Sequence, residues 1–209
     1  VVRFRDRIDA GEQLSSLLRN YAGPNTVVCA LPRGGVVLGA IVARALASPL
    51  DIVIPRKIGH PLNAEYAICA VSENGSLVCD EQDISAVDPT WLDRARDEAV
   101  AESTRRRELY VGDRPSISIR DKTVILVDDG IATGLTMRAA IKDVRQRAPE
   151  RIVVAIPVVP SGIAESLAKE VEDIAAISVQ DVYLGSVGAY YDSFSPVSDE
   201  EVTALLKTI

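Results

Sequence analysis

Histidine occurs once in this chain of 209 residues and cysteine three times, and both scarcities exclude chemistry. Cys29, Cys69 and Cys79 are too few and too widely spaced for a disulfide framework or a CxxC zinc site. Each stands among apolar neighbours, which predicts buried free thiols and a reducing compartment. His60 is followed by Pro61, and neither HExxH nor GxSxG occurs, so a zincin or a Ser-His-Asp hydrolase is not expected. Basic residues are also in deficit, 23 against 30 acidic, for a net charge of -7. A diffuse nucleic-acid surface needs the opposite sign, although a local basic pocket stays open. The longest apolar run, residues 36–43, stops at Arg44 and is too short to span a bilayer. Arg3, Asp6 and Asp9 interrupt any apolar opening of a signal-peptide kind. The expectation is a soluble cytoplasmic protein with no nucleic-acid or membrane partner.

What is present is ordinary globular material, 47% apolar and 25% charged. A chain of this length buries roughly 70% of its unfolded surface, and the length favours a single domain over residues 1–209. Short apolar runs recur, each followed by a turn and a helical pattern. Residues 26–31 (TVVCAL) read as a buried strand ended by Pro-Arg-Gly-Gly, and 36–46 as a largely apolar helix. Residues 51–58 (DIVIPRKI) read as a strand in which Pro55 warns of an irregular or edge position. Residues 67–71 and 76–79 flank Glu73-Asn74-Gly75 as a hairpin. Residues 89–109 form a charged helix with Pro89 near its start and a stripe of Trp91, Leu92, Ala95 and Ala99. Strands at 123–127, 151–157 and 174–179 alternate with helices at 135–147 and 161–171. That order predicts an α/β, doubly wound, mainly parallel sheet, with the hairpin and the termini as additions around it.

In such a sheet, ligands bind beyond the carboxyl ends of the strands. After the strand TVILV come Asp128-Asp129-Gly130-Ile131-Ala132-Thr133-Gly134-Leu135-Thr136. Adjacent carboxylates repel unless a diol, a cation or hydrogen-bond donors neutralise them. The loop behind them carries glycines at both ends and hydroxyls at Thr133 and Thr136, then enters a helix, which suits an anion. A sugar diol for the acids and a phosphate for the loop together describe ribose 5-phosphate. The plainer alternative is a strand-ending turn with Thr133 as a helix cap. A Walker A loop is excluded because no lysine precedes Thr133 or Thr136, and Gly34, Gly35 and Gly39 do not make the GxGxxG dinucleotide pattern.

Residues Val124 to Thr136, four apolar positions, two acids and a small-residue loop with Thr-Gly, resemble the phosphoribosyl-diphosphate (PRPP) signature of type I phosphoribosyltransferases. Leu31-Pro32-Arg33-Gly34-Gly35 resembles that family's diphosphate loop. Arg56-Lys57-Ile58-Gly59-His60-Pro61 resembles its basic strand end before the mobile active-site loop, closest to the RK-x-G-K-x-P form of adenine phosphoribosyltransferases. The resemblance covers the fold pattern over residues 25–180 and, at motif level, these three stretches. It implies transfer of ribose 5-phosphate from PRPP to a nitrogenous base with release of diphosphate, and a small hood built from the terminal segments. By the same resemblance Asp128 and Asp129 hold the ribose hydroxyls, directly or through Mg²⁺. Gly130, Ile131, Ala132, Thr133, Gly134 and Thr136 cradle the 5-phosphate. Arg33, Gly34, Gly35, Arg56 and Lys57 bind diphosphate, and homodimers are common in the family. A catalytically silent PRPP- or nucleotide-binding regulator is the alternative, and membership of a longer natural chain stays open.

Ala132 stands where some purine enzymes of that family carry an aspartate, which counts against hypoxanthine–guanine-type base handling. It leaves the general acid or base unassigned, with Glu65, Glu73 and His60 as candidates, each with an ordinary structural reading beside it. Arg105-Arg106-Arg107 reads as a solvated helix face with an i,i+4 partner in Glu102. Tyr190-Tyr191-x-x-Phe194 reads as tail packing ahead of base stacking, since only 4% of the chain is aromatic. Ser166-x-x-Lys169 and the Asn74-Gly75-Ser76 sequon match patterns without the context that gives them meaning.

Overall fold

The computed structural model describes residues 2–208. Helix α1 (Arg7–Leu17) precedes strand β1 (Thr26–Ala30), helix α2 (Gly34–Leu46) and strand β2 (Leu50–Ile52). Strands β3 (Arg56–His60), β4 (Asn63–Val71) and β5 (Leu77–Cys79) follow, then helices α3 (Glu81–Ile84) and α4 (Pro89–Val111). The chain continues through β6 (Thr123–Val127), α5 (Leu135–Gln146), β7 (Arg151–Pro160), α6 (Ser161–Leu167), β8 (Asp173–Gln180) and α7 (Asp199–Lys207).

Five strands form one all-parallel sheet in the order β2-β1-β6-β7-β8, and β3-β4-β5 form a separate antiparallel sheet. Successive residues of a strand point to opposite faces. Val28, Ile125, Val127 and Val153 accordingly pack beneath α1, α2 and α7. Their neighbours Val27, Val124, Leu126 and Val154 pack against Met137 and Ile141 of α5 and Leu167 of α6. Both faces are covered, which is why these strands read as unbroken apolar runs rather than as alternation. The doubly wound α/β expectation holds.

The differences from expectation have local causes. The run at 51–58 is two strands: β2 pairs with β1 in the large sheet, while β3 pairs with β4 in the small one. Pro55 has no N–H to donate, and the Ile54 amide donates instead to the Glu73 carboxylate at 3.2 Å. Cys69 and Cys79 are not free thiols. They are register partners across β4 and β5 and are joined as a disulfide, so the inference of a reducing compartment loses its support. Cys29 alone is free; burial pushes its thiol up to about 12. α1 and α7 were not expected. α7 opens with a capping box, Ser198 and Glu201, a signal present in the sequence; α1 has little apolar contrast between its faces and includes Gly11.

The N-terminal segment is laced to the C-terminal one. Phe4 donates to the Tyr190 carbonyl at 2.8 Å, Asp192 to the Phe4 carbonyl at 2.8 Å and Ser193 to the Arg5 carbonyl at 2.9 Å. The expected hood from both chain ends is this arrangement. Tyr190 and Tyr191 are buried beneath it, as packing predicted.

Arg106 pairs with Glu102 at 2.9 Å as the spacing predicts, but Arg107 is no solvated charge. It reaches the Asp51 carboxylate at 3.2 Å, both oxygens of Glu73 and the Ile52 carbonyl, clamping α4 to the end of β2. Asp51 is only 3% exposed, so removing its partner leaves charge stranded in the interior. Arg107→Met should lower the unfolding free energy by about 3 kcal/mol, read as an earlier urea midpoint at unchanged slope.

Candidate active site

β1 and β6 lie side by side in parallel register, ending at the paired residues Ala30 and Val127. Leu31 N–H extends the pairing by donating to the Val127 carbonyl at 2.9 Å. The chain then turns through Pro32 and Arg33, whose peptide bond is cis, directly into α2 at Gly34. The Pro-Arg-Gly-Gly turn therefore leans on the acid pair that follows β6. A Cβ at Gly34 would overlap the Asp129 carboxylate and lie 2.9 Å from Arg7 Nε. One at Gly35 would lie 2.7 Å from the Val127 carbonyl oxygen and 3.0 Å from Asp128 Cα. Only glycine fits at either position, and the absence of side chains lets the head of α2 touch the two acids.

Asp128 is part-buried and accepts the Asp129 amide at 2.8 Å. Burial, and then the Asp129 charge beside it, hold its carboxyl well above the usual carboxylate range, with Lys57 pulling it partly back. Asp129 is held differently. Its Oδ2 accepts from Arg7 Nε at 2.8 Å, and its carbonyl accepts from the Tyr191 hydroxyl at 2.7 Å. Burial, with Asp129 nearby, raises the Tyr191 phenol above its ordinary value.

Beyond the acids, Ile131 N–H is tied to the Val158 carbonyl at 2.9 Å, which anchors the loop to β7. Gly130 and Gly134 take positive φ values of 152° and 81°, and Gly134 caps α5 in the left-handed conformation. Among the described residues, the amides of Ala132, Thr133, Gly134 and Thr136 and the hydroxyls of Thr133 and Thr136 have no hydrogen-bond partner. Unbonded donors at the start of a twelve-residue helix form a nest for an anion.

These elements enclose a cleft of about 330 Å³. Asp128, Asp129, the whole of 130–134, Thr136 and Lys57 line it, as do Arg7, Pro32, Val187 and Phe194. β3 carries Lys57 across from the small sheet. The structure does not bring the side chains of Arg33 and Arg56 to that lining: Arg33 turns toward Asp199 of α7, 3.8 Å away, and Arg56 toward Glu102 of α4 at 3.8 Å. Arg7 and Phe194 come from the laced chain ends. The sequence marks Phe194 through its aromatic cluster with Tyr190 and Tyr191, whereas Arg7 lies on a helix with little apolar contrast between its faces and carries no such mark.

The family model described as phosphoribosyl transferase domain matches residues 6–193. The chain belongs to the phosphoribosyltransferase family. A curated Mycobacterium tuberculosis protein with a provisional phosphoribosyl transferase name is 34% identical over 205 residues, covering 97% of this chain and 46% of the relative. The chain thus spans about half the length of the curated relatives it matches. The crystal structure of TT1426 from Thermus thermophilus is 41% identical, with a TM-score of 0.82 and 98% of each chain covered. A purine phosphoribosyltransferase from Pyrococcus horikoshii has the same fold at 15% identity, TM-score 0.50, over 92% of this chain and 93% of that one.

The general acid or base is not found among the expected candidates in the cleft. Glu73 is locked to Arg107, and His60 Nδ1 accepts the Leu62 amide at 3.2 Å, shaping its loop. Glu65 is exposed on β4 outside the lining. No helix is long and apolar enough to cross a membrane among the described residues.

The raised Asp128 carboxyl has a consequence for stability. The folded state favours its neutral form, so its contribution is greatest below the unfolded value, ~3.9, and falls as pH rises toward the folded one. Asp128→Asn should therefore raise the melting temperature at pH 7, and the gain should vanish near pH 4. Each tenfold bias toward the neutral form is worth ~1.4 kcal/mol, or roughly 2–4 °C in a chain of this size.

Proposed function

We propose that this protein transfers ribose 5-phosphate from PRPP to a nitrogen nucleophile and releases diphosphate. The single observation that carries this reading is the juxtaposition, in one cleft, of the unbonded amide nest at 132–136, the acid pair 128–129 and Lys57. On this reading the phosphate sits in the nest at the head of α5, the ribose hydroxyls on Asp128 and Asp129, and the diphosphate toward Lys57 and the head of α2.

Displacement at C1 develops positive charge on the sugar ring and negative charge on the departing diphosphate. The two acids face the ring and fix the pentose, while Lys57 and the head of α2 stabilise the leaving group. The hood, with Val187 and Phe194 at the cleft wall, keeps water from C1, where it would compete with the base. The donor set of the acid pair suits Mg²⁺. Two adjacent carboxylates beside an anion site offer hard oxygen donors of the kind Mg²⁺ takes. Asp128 and Asp129 would hold it, and the chemistry it supplies there is neutralisation of diphosphate charge.

The test is diphosphate release from PRPP with Mg²⁺ against a panel of purine, pyrimidine and pyridine bases. Release with one base names the acceptor; tight PRPP binding without release for any base would make the protein a regulator. No binding of PRPP would remove the proposal. Asp129→Asn and Lys57→Ala should each lower kcat about 100-fold or more, with the fold intact by circular dichroism.

A further inference from the structure

The head of α2 meets a cation, and it is not the one in its own loop. Arg33 extends from the cleft toward Asp199, with a side chain 42% exposed. Arg7 arrives from the far end of the chain and is 12% exposed, against 15% for its partner Asp129. Its position is determined from three sides. Nε donates to Asp129, Nη1 donates to the Ser195 carbonyl at 2.7 Å, and the guanidinium lies 3.8 Å from the centre of the Phe194 ring. The lacing of Phe4 and Arg5 to residues 190–193 fixes the backbone immediately before it.

Two of the three guanidinium nitrogens are thereby committed, and Nη2 donates to no atom of the described residues. Arg7 Nε stands against Gly34, where an added Cβ would lie 2.9 Å from it, and the side chain lines the same cleft as Pro32 and Lys57. A part-buried guanidinium with an unused donor, beside the Gly34 and Gly35 amides that have no partner among the described residues, is a site for a phosphoryl oxygen. The geometry points to Arg7 as the arginine that binds the diphosphate of PRPP, in the role that loop position alone would give Arg33. This assignment rests on the PRPP reading above and names the residue that grips its leaving group. Asp129 then serves twice, facing the ribose and holding the guanidinium in plane.

The experiment is isothermal titration of wild type, Arg7→Met, Arg7→Lys and Arg33→Met with magnesium diphosphate and, separately, with ribose 5-phosphate. Arg7→Met should lose about tenfold or more in diphosphate affinity, the loss of a charge-assisted contact, and stay within about threefold for ribose 5-phosphate. Arg7→Lys should recover part of that loss, and Arg33→Met should lose less than Arg7→Met. Comparing two ligands on one preparation cancels any change in the folded fraction. A loss for Arg7→Met that is equal for both ligands, or larger for ribose 5-phosphate, would make Arg7 only a support for Asp129 and overturn the assignment. A larger diphosphate loss in Arg33→Met would overturn it as well. Wild type that takes ribose 5-phosphate but not diphosphate refutes Arg7's role alone; wild type that takes neither refutes the PRPP reading itself.

Discussion

The parallel pairing of β1 with β6 is the constraint on which the cleft depends. Strands matched residue for residue from Thr26–Thr123 to Ala30–Val127 must finish together, so the turns beyond them begin in contact. One turn carries two acids and the other two glycines, and the glycines let helix and carboxylates share space that any side chain would fill. Neither turn makes a pocket alone. The sheet register converts two distant stretches of sequence into one surface, and the covered faces of the sheet fix that register by burying every alternate residue on both sides.

Much of this was legible because the relevant signals are short-range. Strands such as TVILV are buried on both faces, so composition alone identifies them, and the acids and small residues behind that strand lie within thirteen positions of one another. The hairpin and the charged helix with its Trp91–Ala99 stripe were readable for the same reason. What escaped was long-range. Nothing near Arg7 says that it will meet Asp129, because the meeting is decided by hydrogen bonds between residues 4–5 and 190–193. The Cys69–Cys79 pairing likewise depends on strand register rather than on the neighbours of either cysteine. Arg107 looked like one of three surface arginines until the packing of α4 over β2 set it against Asp51 and Glu73.

The two acids also illustrate how a fold accommodates like charges at one strand tip. Asp128 is drawn toward its neutral form by burial and by its neighbour's charge, whereas Asp129 keeps a guanidinium within 2.8 Å. The pair is therefore asymmetric before any substrate arrives. A carboxyl that favours neutrality is destabilised relative to one in water and gains most from an added cation or donor, while a carboxylate already paired gains less. The first acid is therefore the one whose charged form an added cation or donor would relieve more, while the second is already held by Arg7. The division follows from which elements reach each residue. Asp128 lies under α2 and the sheet, and Asp129 lies under the hood, where the chain ends deliver Arg7, Tyr191 and Phe194. A change in the terminal segments would then act directly on the second acid, through Arg7 and Tyr191, and reach the first through the charge the two share.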